Sequence, residues 1–134
     1  MGLLHRFLTG DVIEPDELAR HTADGVLLHA RKLHARVELT DFRAPGRASS
    51  QRVVRSSGGV LVTATRFVMW AMGERQIDVA RETLPSESLA VSADDESVSF
   101  DFRAEDFHPN RSGRVQVRLR TKDARAIHAW ATTS

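Results

Sequence analysis

Seven cations crowd one stretch of this chain, Arg31, Lys32, Arg36, Arg43, Arg47, Arg52 and Arg55, with only Glu38 and Asp41 set against them. Guanidinium groups grip phosphate and carboxylate oxygens through paired hydrogen bonds, so this stretch is the leading candidate for an anion-binding site. Several such charges together hold a protein at an anionic membrane at about 1 kcal/mol each. Nucleic acid is a disfavoured partner, because the chain as a whole carries a formal charge of only +1.

The other reactive residue types are poorly placed for chemistry. Six histidines are present. His29 and His34 are five apart in one expected strand, which places them on opposite faces, while His5, His21, His108 and His128 fall in different elements. No metal site is expected. The acidic runs Asp94-Asp95-Glu96 and Glu105-Asp106 have turn character, where carboxylates are solvated and untuned, so no catalytic pair is assigned. Ser49-Ser50 and Ser56-Ser57 lack the glycine-flanked elbow of a serine nucleophile, and Gly58-Gly59 lacks the spacing of a phosphate cradle. With no cysteine in the chain, thiolate metal sites, disulfides and cysteine nucleophiles are excluded.

The elements that must position these residues are mostly strands. Gly58 to Trp70 is the richest β signal: a glycine pair expected to turn into Val60-Leu61-Val62, a short turn at Thr63-Ala64-Thr65-Arg66, and a returning run Phe67-Val68-Met69-Trp70. Alternation from Leu33 to Thr40 predicts a half-buried strand with Leu33, Ala35, Val37 and Leu39 on one side. Residues 44–50 are expected as a mobile connection, 52–55 as a short strand, and 56–59 as a turn. Further strands are predicted near 75–81, 88–93, 97–103 and 114–120, with Ile77, Val79, Leu89, Val91, Val98, Phe100, Phe102, Val115, Val117 and Leu119 inward. Pro15, followed by Asp16 and Glu17, opens a predicted helix over 15–22, preceded by a weaker helical turn carrying Leu3, Leu4, Phe7 and Leu8. Thr121 is placed to cap a C-terminal helix with Ala124, Ile127 and Ala131 on one face.

Short strands followed by one helix, without βαβ alternation, imply an antiparallel barrel or sandwich. At 134 residues one core suffices without staples. The expected core includes Val60, Val62, Phe67, Met69, Ile77, Val98, Phe100, Val117, Ile127 and Trp130. Charge is segregated along the chain: residues 29–55 sum to +5, 73–106 to −7 and 107–134 to +5. Blocks of opposite sign suit association with a partner or between copies. The N-terminal apolar run is too short for a secretion signal, and no span reaches transmembrane length, so a cytoplasmic location is expected.

The order of these elements, with Met1-Gly2-Leu3-Leu4, Thr63-Ala64-Thr65-Arg66-Phe67 and Trp130 in the closing helix, resembles the bacterial pleckstrin-homology-like family of single-domain proteins, related to GRAM-type folds. Ala64 stands where that family's turn usually has asparagine. The resemblance implies a mainly β, PH-like antiparallel barrel of about seven strands with a C-terminal α-helix. Residues 1–24 would be a helical lead-in and residues 25–134 the PH-like domain. It also implies an extra hairpin or loop within 35–57 and, as in many such bacterial domains, self-assembly through exposed edges, but not lipid binding; the residues themselves are read as a non-catalytic module without cofactor. Such a module would bind a protein partner or copies of itself, or alternatively an anionic membrane surface through residues 31–55, a small barrel enzyme being the third reading.

Overall fold

The computed structural model describes residues 25–132. The helical lead-in expected within 1–24 lies outside the described residues, as do His5 and His21. Seven strands run β1 (Val26–Ala44), β2 (Arg47–Thr63), β3 (Arg66–Ala71), β4 (Glu74–Ala80), β5 (Leu89–Ala93), β6 (Ser97–Arg103) and β7 (Ser112–Arg120), and the helix α1 (Ala124–Thr132) follows. All pairings are antiparallel, in the order β4-β3-β2-β1-β7-β6-β5. The sheet curls into a half-closed barrel with α1 lying against β5 and β6. The long β1 joins its two halves, pairing with β2 on one side and β7 on the other.

The concave side holds the core. Val60, Val62, Phe67, Met69, Ile77, Val98, Phe100, Val117 and Ile127 are all fully or almost fully buried, as their phase in the alternation requires. Phe67 and Phe100, from opposite halves of the sheet, bring their rings to 6.1 Å. Each such side chain contributes about 1.5–3 kcal/mol over an exposed one, which holds the curl closed. Ala124, Ile127 and Ala131 form the buried stripe of α1. The Thr121 hydroxyl accepts the Asp123 amide at 3.0 Å and orders the turn that leads into the helix.

Four local expectations are corrected. The connection over 44–50 shrinks to Pro45-Gly46, a two-residue turn between Ala44 and its partner Arg47, with Gly46 at φ +74°. The strands expected at 33–40 and 52–55 are therefore parts of one long hairpin.

No turn occurs at 56–59, because β2 runs through them without a break. Gly58 and Gly59 instead permit close approach: a Cβ at Gly58 would stand 2.6 Å from the Trp70 carbonyl oxygen, and one at Gly59 2.6 Å from that of Ala30. Tight packing, not turning, is the reason for glycine here.

Trp130 is only half-buried; its ring lies 4.4 Å under the Arg81 guanidinium at the rim of the barrel. Trp70 is buried, but away from the main core, in a separate cluster with Leu61 and Val68 on the convex side. Its odd phase relative to Phe67 and Met69 puts it there.

The turn between β2 and β3 shows how Ala64 is accommodated. The Thr63 hydroxyl accepts the amides of Thr65 at 3.2 Å and Arg66 at 3.0 Å, a side-chain turn that asks for no polar side chain at position 64. Arg81, in the short turn just after β4, donates to the Thr63 carbonyl at 3.1 Å and holds the same turn from the other side.

Candidate functional site

The convex face of β2-β1-β7-β6 carries the site. Register places Arg36 of β1 directly opposite Arg55 of β2 on one side and Arg118 of β7 on the other, with Ser99 of β6 next in line. Two residues along, a second row runs Ser57, His34, Arg120 and Ser97. Adjacent strands lie about 4.8 Å apart, so three guanidinium-bearing side chains rise side by side from neighbouring strands. Like charges directly opposite one another destabilise a sheet, and an anion seated among them would remove that penalty.

A depression of ≈ 530 Å³ opens over these rows, lined by His34, Arg36, Arg55, Arg118 and Arg120 together with Glu96. Arg118 is oriented by its neighbours, with Nε donating to Ser97 Oγ at 3.0 Å and the guanidinium 3.8 Å from Asp94. Arg36 has only a loose contact with Glu38, at 3.6 Å. Among the described residues, Arg55 and Arg120 meet no carboxylate. The next arginine along β7, Arg114, is already committed to Asp101 through bonds of 3.0 and 2.6 Å, which bounds the free cationic patch.

The basic stretch of the sequence is thus divided by the fold. Arg36 and Arg55 enter the ladder. Arg31 and Lys32 lie at a β-bulge of β1, where Lys32 has φ +54°. Arg52 stands opposite Leu39 and lines a separate cleft of ≈ 260 Å³ with Phe42 and Met72. Arg47 reaches Glu74 at 3.1 Å and stacks 5.5 Å over Phe42, pinning the hairpin tip to β4. Arg43 is exposed near that tip.

Arg118 and Arg120 are the residues that sequence reading did not assign. Their signal was the alternation Arg114, Gln116, Arg118, Arg120 opposite the apolar Val115, Val117 and Leu119. Nothing local says that β7 lies beside β1.

The bulge also corrects the histidine geometry. One extra residue of β1 between Ala30 and Leu33 returns His29 and His34 to the same face, opposite Leu61 and Ser57. His29 nonetheless stands beside Trp70, with ring centroids 6.1 Å apart, and its pKa is lowered by burial and by the charge of Arg31. Among the described residues no group of three or more His, Asp or Glu side chains could hold a metal ion.

The acidic runs serve the backbone. Asp94 accepts the amides of Glu96 and Ser97, both at 2.8 Å, which lower its pKa, and Glu105, its pKa lowered by its own amide and then by Arg103, accepts Gly113 N at 3.0 Å. Comparison with family models, with curated proteins and with solved structures found no match to this chain.

Proposed function

We propose that this chain is a non-catalytic, PH-like binding module that engages an acidic protein partner through the arginine ladder. The strand order, the long β1 shared by both halves and the helix after the last strand support the PH-like reading. The single observation that carries the function is the direct cross-strand alignment of Arg55, Arg36 and Arg118. A discrete anionic group fits this site better than a flat anionic membrane. Glu96 lines the depression, while Asp95 of the same turn is paired with Arg125 at 2.7 Å, so a continuous negative plane meets the Glu96 carboxylate at the rim.

The free edge of β2 favours the same kind of partner. Among the described residues, β3 pairs only with Gly58–Val62 of β2, which leaves the edge of 47–57 without a strand partner. Val53 is 45% exposed there, flanked by Arg52 and Arg55. Antiparallel pairing of two copies centred on Val53 and Val54 would set Arg52 against Arg55, so the edge suits an extended acidic segment better than a second copy.

Titration calorimetry with a hexaglutamate peptide, in the wild type and in Arg36→Glu/Arg118→Glu, tests the reading. A loss of affinity of tenfold or more, about 1.4 kcal/mol, in the double variant is expected. A wild-type protein that ignores the peptide at low salt yet sediments with phosphatidylserine vesicles would transfer the site to membranes.

A further inference from the structure

The free edge of β2 presents Arg52-Val53-Val54-Arg55, a cation at each end of two valines. We propose that this edge accepts an extended partner segment with the core pattern acid, apolar, apolar, acid, which joins the sheet as a further strand beside β2. This rests on the reading of the chain as a binder of acidic partners, and it names the sequence such a partner carries. Strand addition satisfies edge amides and carbonyls through main-chain hydrogen bonds that any sequence can make, so selectivity has to come from the side chains along the edge.

Alternation sends these four side chains to two faces. Register sets Arg55 beside Arg36 and Val53 beside Glu38 on the convex face, and Val54 beside the buried Val37 and Arg52 beside the buried Leu39 on the concave face. Each face of the edge thus offers one cation and one valine. Val53 is 45% exposed, Arg52 and Arg55 are exposed, and Val54 is half-buried against the core, so all four have surface left for a neighbouring strand. Among the described residues neither arginine meets a carboxylate. On an added strand, the residue opposite Arg55 continues the row Arg118, Arg36, Arg55, and a carboxylate there ends three like charges with an opposite one. The residue opposite Arg52 borders the cleft formed with Phe42 and Met72. Between them, apolar residues opposite Val53 and Val54 remove valine surface from water. The order Arg-Val-Val-Arg reads the same in both directions, so antiparallel and parallel segments need the same complement.

Two peptides of identical composition and charge separate pattern from charge: acetyl-Thr-Glu-Val-Val-Glu-Thr-amide and acetyl-Thr-Val-Glu-Glu-Val-Thr-amide. In any register the second can set only one of its acids opposite an arginine. By titration calorimetry with the full chain, the first should bind at least about threefold more tightly, as expected for the loss of a charge pair and an apolar pair across strands. Arg52→Glu, which lies outside the ladder, should abolish that preference. In the complex with the first peptide, amide exchange followed by NMR should slow at alternate residues of β2 between Ala48 and Ser57, the mark of an added strand. Equal affinity for the two peptides, binding of neither, a preference that survives Arg52→Glu, or exchange that stays fast along this edge would each overturn the proposal. Hexaglutamate binding and its loss in Arg36→Glu/Arg118→Glu are read separately, so strand addition can fail while the ladder stands, and the ladder can fail while the peptide preference stands.

Discussion

At Gly59 the sheet has no room for a side chain. A Cβ there meets the Trp70 ring at 2.7 Å and the Ala30 carbonyl oxygen at 2.6 Å, and the latter cannot retreat without moving a strand. Gly59→Ala should therefore destabilise by about 3 kcal/mol or more in urea unfolding. Gly46→Ala, at a turn with open space around it but φ +74°, should cost only about 1–2 kcal/mol. Equal costs at the two positions would mean that backbone conformation, not crowding, governs both. The two aromatic positions separate similarly. Phe100→Ala empties a fully buried site and should cost about 3–5 kcal/mol. Trp130→Ala at the rim loses a cation–π contact and part of its packing, and should cost about 1–2 kcal/mol.

At the scale of elements, two imidazoles tie strands and loops together in their neutral form. His29 on β1 is held low by burial and then by Arg31. His108, in the loop before β7, contacts the Gln76 carbonyl of β4 at 2.9 Å; burial lowers its pKa despite that bond. A histidine whose folded pKa lies below its unfolded value of about 6.5 takes up protons more readily in the unfolded chain. Its contribution is thus complete above that value and is lost as pH falls through the folded pKa. Melting temperature should drop as pH is lowered from about 7.5 to about 5, and the drop should shrink in His29→Gln/His108→Gln. Asp94 and Glu105 act in a separate, more acidic window: backbone hydrogen bonds lower both pKa values, so their contribution is complete above the ordinary carboxylate range and is lost as pH falls through the lowered folded values. An unchanged pH slope between 7.5 and 5 in the double variant would assign the loss to other groups.

For the molecule as a whole, the ladder is a localised positive patch on a chain of almost no net charge. Binding of hexaglutamate should weaken steeply as salt rises past physiological strength, where the screening length is about 8 Å. Arg36→Glu/Arg118→Glu should flatten that salt dependence while leaving thermal stability nearly unchanged, because the new opposite-charge pairing of position 36 with Arg55 offsets the like charges now facing each other at 36 and 118 and the exposed Arg118 contacts given up. A fall in stability would show that these arginines serve the fold instead.

Much of this protein is legible from local pattern. The alternation that set Val60, Val62, Phe100 and Val117 inward, and the stripe of Ala124, Ile127 and Ala131, depend only on the periods of strand and helix, so they could be read residue by residue. The same alternation pointed Arg36, Arg118 and Arg120 outward. Pairing between distant strands is another matter: Arg36 is 82 positions from Arg118, and only the closure of β7 onto β1 brings them side by side. The bulge at Lys32 and the seat of Trp70 on Gly59 are likewise products of strands pressed together, and they reversed what regular spacing implied for His29 and the glycine pair. Faces are set by neighbours in the chain, whereas partners are set by topology, and the candidate site is made of partners.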